Sequence, residues 1–156
     1  MNRIAVGSDH AGYQYKQVLA DHLREAGHEV VDLGTDGPQS VDYPDYARAV
    51  AEAVARGEVE RGLLVCGSAV GVCIVANKVP GIRAGVCHET YSARQAVEHD
   101  DMNVLCLGER VIGIEVAREV TDAFVAARFA DEERHRRRLN KLLEVEGDYM
   151  SKQMES

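Results

Sequence analysis

Five short β-rich runs, Arg3–Gly7, Glu29–Asp32, Gly62–Cys66, Arg83–Val86 and Val104–Leu107, alternate with stretches of helical periodicity. Tyr15, Val18, Leu19, His22, Leu23 and Ala26 recur at i, i+3, i+4, i+7, i+8 and i+11, one face of a helix. Ala47, Val50, Ala51 and Val54 repeat the pattern, as do Ala117, Val120, Phe124 and Val125. Strands that alternate with helices build βαβ units, whose right-handed crossovers give a parallel sheet covered on both faces. The expected fold is therefore α/β: a three-layer α/β/α sandwich around a five-stranded parallel sheet. Gly27 follows the first helix where a C-terminal glycine belongs, Gly37-Pro38 marks a loop, and Pro44 stands near the next helix start. Glu132–Leu143 predicts an extra C-terminal helix, strongly charged, that the sheet does not need. Residues 1–145 are expected to form one domain, and 146–156 a polar tail that is frayed or docked on a neighbour.

Composition narrows the function. A net charge of −8 disfavours a general nucleic-acid or membrane-surface role, since phosphate backbones are gripped by excess Lys and Arg. No apolar run is long enough to span a bilayer, and no cleavable apolar leader is read. Cys66, Cys73, Cys87 and Cys106 show neither a C-x-x-C pair nor zinc-type spacing with histidines. The expectation is a cytoplasmic protein with free thiols and no metal or other cofactor.

The groups able to do chemistry gather where strands end. Cys66 closes the apolar run Leu63-Leu64-Val65 and precedes a loop that opens a helix near Gly71. A thiol at a helix N-terminus ionises more readily and becomes a usable base or nucleophile. Cys73, Cys87 and Cys106 read as packing. The glycines of Gly67-Ser68-Ala69-Val70-Gly71 let backbone amides approach a ligand oxygen, although many βα turns carry two glycines merely to turn. Asp9 and His10 follow the first strand, a carboxylate for sugar hydroxyls and a donor for an anion. His99-Asp100-Asp101 ends the fourth helix. A histidine there takes up a proton easily, a neighbouring carboxylate can orient it, and it suits proton donation to a ring oxygen; a plain helix C-cap is the alternative. Arg134 and Arg138, four apart on one face, suit a phosphate clamp, while Arg136 and Arg137 pair with Asp131-Glu132-Glu133.

In chain order, Gly7-Ser8-Asp9-His10-Ala11-Gly12, Asp42-Tyr43-Pro44, Cys66-Gly67-Ser68-Ala69-Val70-Gly71, Ala76-Asn77-Lys78, Gly81-Ile82-Arg83-Ala84, Asn103-Val104-Leu105 and Arg134-His135 resemble the ribose-5-phosphate isomerase B family. That family also holds galactose-6-phosphate and allose-6-phosphate isomerases, and the resemblance runs from Arg3 to about Leu139. It implies a Rossmann-like sheet and a metal-independent aldose–ketose isomerisation of the pentose phosphate pathway. Cys66 would move a proton between C2 and C1 through a cis-enediolate. The amides of Gly67, Ser68, Ala69, Val70 and Gly71 would hold the enediolate oxygen, and the Ser68 hydroxyl would assist. His99 would open the furanose. Asp9 and Tyr43 would bind sugar hydroxyls, Asp100 would orient the sugar, and His10, Arg134 and Arg138 would hold the phosphate with Arg110 nearby. A homodimer with shared sites, possibly paired into a tetramer, is implied as well. Ser68 stands where the family commonly has Thr, and Asp100 where many members have Asn. Ala69 replaces a usual Gly and fits easily only at negative φ. Hexose-phosphate isomerases, an anion- or nucleotide-binding module and a thiol redox protein are the rival readings.

Overall fold

All five β-rich runs become strands: β1 (Arg3–Ser8), β2 (Glu29–Asp32), β3 (Arg61–Cys66), β4 (Ala84–Val86) and β5 (Val104–Gly108). They form one parallel sheet in the order β2-β1-β3-β5-β4. The computed structural model describes residues 2–155, with side chains through residue 150. Arg83, expected to open β4, lies outside it and bonds to Asn103 and Asp101 instead.

Successive side chains on a strand face opposite ways, so the sheet carries two cores. Ile4, Val6, Leu63, Val65, Leu105 and Leu107 meet Leu19, Leu23, Val97 and Phe124 from α1 (Tyr13–Glu25), α4 (Thr90–Asp100) and α5 (Ile114–Ala126). Ala5, Leu64, Cys66, Val104 and Cys106 meet Val50, Val54 and Val72 from α2 (Tyr43–Ala55) and α3 (Val70–Ala76). This is the expected three-layer sandwich. The charged C-terminal helix is α6 (Glu133–Glu155). It does not stop at Leu143: the expected polar tail continues the helix, and Glu146 accepts the Gly81 N–H at 2.7 Å. Ser156 lies outside the described residues. No helix among the described residues is long and apolar enough to cross a membrane.

The chain leaves β1 toward one edge of the sheet and enters β3 on the other side of β1, so the winding reverses between these neighbours. Such a switch point opens a crevice at the carboxyl ends of the strands. Gly12 lets the chain start α1 close beneath it, because a Cβ there would sit 2.4 Å from the Val65 carbonyl oxygen. On the other side, Ala69 precedes α3 at φ +75°, the left-handed region, and is buried. The expectation of negative φ therefore fails: the helix entry needs a left-handed residue and an alanine occupies it. Left-handed backbone costs an L-residue roughly 1–2 kcal/mol, whereas the buried methyl returns about 0.8 kcal/mol. Ala69→Gly is expected to raise stability by no more than about 1 kcal/mol in urea unfolding. A lowered midpoint would mean that methyl packing outweighs the strain.

His88, just past β4, ties the ends of β4 and β5 together by accepting the Gly108 N–H on Nε2 at 2.9 Å. Burial holds this imidazole below its ordinary value of 6.5, which suits an unprotonated acceptor. A histidine lowered in the folded state contributes stability that is complete above its unfolded value and lost as pH falls through the folded one. The stability difference between wild type and His88→Ala is thus expected to shrink from pH 7 to about pH 5. A difference that stays constant would show that the hydrogen bond survives protonation.

Candidate active site

A cleft of about 390 Å³ occupies the switch point, with Cys66 at its floor. Cys66 is the last residue of β3, and its Sγ accepts the Ala69 N–H at 3.1 Å. That left-handed residue therefore turns its amide back onto the sulfur, where a thiolate's charge would reside. Ser68 Oγ accepts the Val70 N–H at 3.3 Å. Among the described residues the N–H groups of Ser68 and Gly71 find no partner, and both residues line the cleft. Ala69 and Val70 contribute backbone only: the methyl of Ala69 is buried, and Val70 points outward.

The other walls come from three more loops. Asp9 caps the turn at His10–Gly12, its Oδ1 accepting the N–H groups of Ala11 and Gly12 at 3.0 and 3.1 Å. Its second oxygen has no protein partner among the described residues. His10 Nδ1 accepts the Val41 N–H at 3.2 Å, which leaves the proton of the neutral ring on Nε2 as a donor. Tyr43, 40% exposed, lays its ring over Gly71, where a Cβ would approach that ring to 2.7 Å. Arg110 crosses Gly67, its backbone N–H donating to the Gly67 carbonyl at 3.1 Å. Asp9, His10, Tyr43, Cys66, Gly67, Ser68, Gly71 and Arg110 are thus brought together, as the sequence reading expects.

His99, Asp100, Arg134 and Arg138 are not part of this cleft in the chain. A crossover helix returns against the strands, so the end of α4 lies beside the start of β5, while Arg110 follows its far end. Five strand residues at about 3.3 Å each separate the two edges. On that second edge the His99 ring stacks on His135, centroids 4.1 Å apart and planes 18° apart. The expected orientation of His99 by Asp100 is absent: Asp100 is exposed and its side chain hydrogen-bonds to no described residue. Arg134 pairs with Glu132 at 2.6 Å, Arg136 with Asp131 and Arg137 with Glu133, whereas Arg138 has no partner among the described residues.

Two residues here were given no role by the sequence reading. His135 is 4% exposed, and burial, then the neighbouring His99 and Arg134, holds its imidazole below the ordinary value. Within a run of arginines it carried no signal of burial. Glu109 links the walls: its N–H donates to the Cys66 carbonyl at 2.9 Å and its Oε1 accepts the Tyr15 N–H at 2.8 Å. It follows β5 as Asp9 follows β1, and that parallel was the available signal.

The relatives of this chain bear on what such a cleft does. A ribose-5-phosphate isomerase B of Escherichia coli is 47% identical over 146 residues, 94% of this chain and 97% of that one. A D-erythrulose-4-phosphate isomerase of Pectobacterium atrosepticum is 44% identical over 130 residues, 83% of this chain and 86% of that one. The solved structure of Clostridium thermocellum ribose-5-phosphate isomerase B, 50% identical, superposes with a TM-score of 0.91 over 94% of this chain and 99% of its own. Residues 4–142 match the ribose/galactose isomerase family as a whole. With its Rossmann-like sheet and its cleft at the β1/β3 switch point, the chain belongs to the ribose/galactose isomerase family and is an isomerase.

Proposed function

We propose that this protein interconverts ribose 5-phosphate and ribulose 5-phosphate by proton transfer at Cys66. The carrying observation is the floor of the cleft: a thiol that accepts one loop amide, beside two amides with no partner among the described residues. Deprotonating a carbon next to a carbonyl needs a base and a site for oxyanion charge. Cys66 takes the C2 proton and returns it to C1, and the Ser68 and Gly71 amides hold the oxygen of the cis-enediolate. The Ser68 hydroxyl serves proton exchange. Asp9 and Tyr43 bind sugar hydroxyls, and the Nε2–H of His10 and the Arg110 guanidinium face the anionic substrate.

The second edge belongs to the partner's site. In a two-fold dimer each copy offers the same patch, so a surface that meets the opposite edge of its neighbour completes both clefts at once. His99 then opens the furanose of a sugar bound by the partner, Asp100 contacts that sugar, and Arg134 and Arg138 clamp its phosphate. Exposed Val70 and Val111 beside the cleft provide apolar surface for the pairing. We place the protein in the cytoplasm, where its four free thiols stay reduced, at an aldose–ketose step of pentose phosphate metabolism.

Isomerisation of D-erythrulose 4-phosphate is the second reading, supported by the relative of that name. The two differ chemically. A tetrose 4-phosphate has its O4 esterified and cannot close a furanose, so its isomerisation needs no ring-opening acid.

Cys66→Ala is expected to lower turnover by about 10³-fold or more while still binding ribose 5-phosphate in calorimetry. Near-normal turnover would reject Cys66 as the base. His99→Ala is expected to lose ribose 5-phosphate turnover and to keep any activity on erythrulose 4-phosphate. Reassociating Cys66→Ala with His99→Ala should restore about a quarter of wild-type ribose 5-phosphate turnover, because half the dimers are mixed and one of their two sites is whole. No recovery in confirmed mixed dimers would exclude shared sites. Comparing ribose 5-phosphate, erythrulose 4-phosphate, allose 6-phosphate and galactose 6-phosphate on one preparation ranks the substrates.

A further inference from the structure

The start of α1 takes its capping acid from another element. The N-cap residue Gly12 offers no side chain, and the first turn of α1 contains no acidic residue. A helix start leaves backbone N–H groups without intrahelical partners, and a carboxylate there is also favoured by the helix dipole. Asp9 serves the N–H groups of Ala11 and Gly12. The Tyr15 N–H is served by Glu109, 94 positions away, whose Oε1 accepts it at 2.8 Å. Tyr15 Oη adds a second tie to the same turn, donating to the Ile112 carbonyl at 2.8 Å.

The turn after β5 is therefore held from two sides. Toward β3, the N–H groups of Glu109 and Arg110 donate to the Cys66 and Gly67 carbonyls at 2.9 and 3.1 Å. Toward α1, the Glu109 carboxylate and the Ile112 carbonyl take up Tyr15. Arg110 is exposed, and its guanidinium makes no hydrogen bond or ion pair among the described residues. The backbone of this turn thus sets where Arg110 stands over Gly67. His10, on the facing wall, belongs to the turn that leads into α1, and the next residue of the helix after Tyr15, Lys16, is anchored to Asp32 and Thr35.

We propose that Glu109 is a positioning residue: by tying the start of α1 to the turn after β5, it holds His10 and Arg110 at the spacing at which both reach one anionic group of the substrate. That this anion is a sugar phosphate rests on the isomerase reading above; the tether does not. Glu109 does not line the cleft, so it acts through these two neighbours. Two donors grip one anion only at a fixed separation, because N–H···O bonds are confined to about 2.7–3.2 Å. The carboxylate charge by itself would oppose an incoming anion. Loss of the tether and loss of the charge therefore move affinity in opposite directions.

Glu109→Ala and Glu109→Gln, made in the full-length protein, separate the two. Glutamine keeps an oxygen acceptor for the Tyr15 N–H and drops the charge. Glu109→Ala is expected to raise KM for ribose 5-phosphate about tenfold, to weaken inorganic phosphate binding in calorimetry by a similar factor, and to leave kcat within about twofold of wild type. Glu109→Gln should bring both affinities back to within about threefold of wild type. Hydrogen exchange of the Tyr15 amide, followed by nuclear magnetic resonance, should quicken in Glu109→Ala and not in Glu109→Gln.

A residue that only stabilises the fold would lower the urea midpoint and leave KM and phosphate affinity where they were, and that result would overturn the proposal. A lowered KM in Glu109→Ala would also overturn it, by making charge and not spacing the contribution of Glu109. So would a glutamine variant as weak as the alanine one. Wild-type protein inactive on every sugar phosphate would reject the isomerase reading and leave phosphate affinity to decide. Weaker binding in Glu109→Ala alone would then uphold the tether, and equal affinities, or no binding by wild type, would overturn it.

Discussion

A buried ammonium organises the ligand edge of this sheet. Lys16 is 1% exposed, and its Nζ reaches Asp32 Oδ1 and Oδ2 at 2.7 and 2.9 Å and the Thr35 carbonyl at 2.7 Å. Removing a charge from water costs several kcal/mol unless its donors are matched, and here three acceptors meet three N–H bonds. The segment after β2 is thereby fixed to α1. It is also stitched to β1, since Ser8 donates to the Gly34 carbonyl at 2.7 Å and Thr35 to the Ser8 carbonyl at 2.9 Å. Farther along, Val41 holds the His10 ring, and the chain enters α2 with Tyr43 over Gly71. The placement of the His10 and Tyr43 rings in the cleft therefore descends from one charge buried beneath the first loop.

Across the cleft the organising device is strain rather than charge. Ala69 occupies a left-handed conformation that glycine would adopt freely, and in that conformation its amide meets Cys66. Strained backbone clusters at functional sites where the surrounding structure holds it in place. Here α3 and the turn after β5 do the holding, the latter through the bonds from Glu109 and Arg110 to the Cys66 and Gly67 carbonyls. Cys66, the loop after it and the first turn of α3 are therefore joined by one run of backbone hydrogen bonds.

Much of this architecture was legible in the residues. Apolar positions at i, i+3 and i+4 located α1, α2 and α5, because one helix face must be buried whatever lies opposite. Asp9 and Cys66 were legible as residues of the cleft because each follows or ends an apolar strand, and crevices open at the carboxyl ends of parallel strands. The order β5-β4 was not legible: short apolar runs such as Ala84–Val86 carry no mark of which neighbour they pair with. Neither was the reach of α6, whose polar residues resemble a tail until Glu146 is seen on Gly81. Asp100 beside His99 in sequence suggested a pair, yet the ring turned to His135 on another element.

What the sequence by itself determined was local and chemical: the alternation of elements, the presence of a thiol, a carboxylate and an imidazole at strand ends, and arginines four apart on one helix. These follow from side-chain periodicity and from chemistry that each residue carries wherever it lies. Only the tertiary structure decided which of them meet. Parallel crossovers placed His99 and Arg138 at the opposite edge from Cys66, packing stacked the His99 ring on His135, and a left-handed alanine aimed an amide at the Cys66 sulfur. Such meetings depend on contacts between residues far apart in the chain, and no local pattern of side chains encodes them.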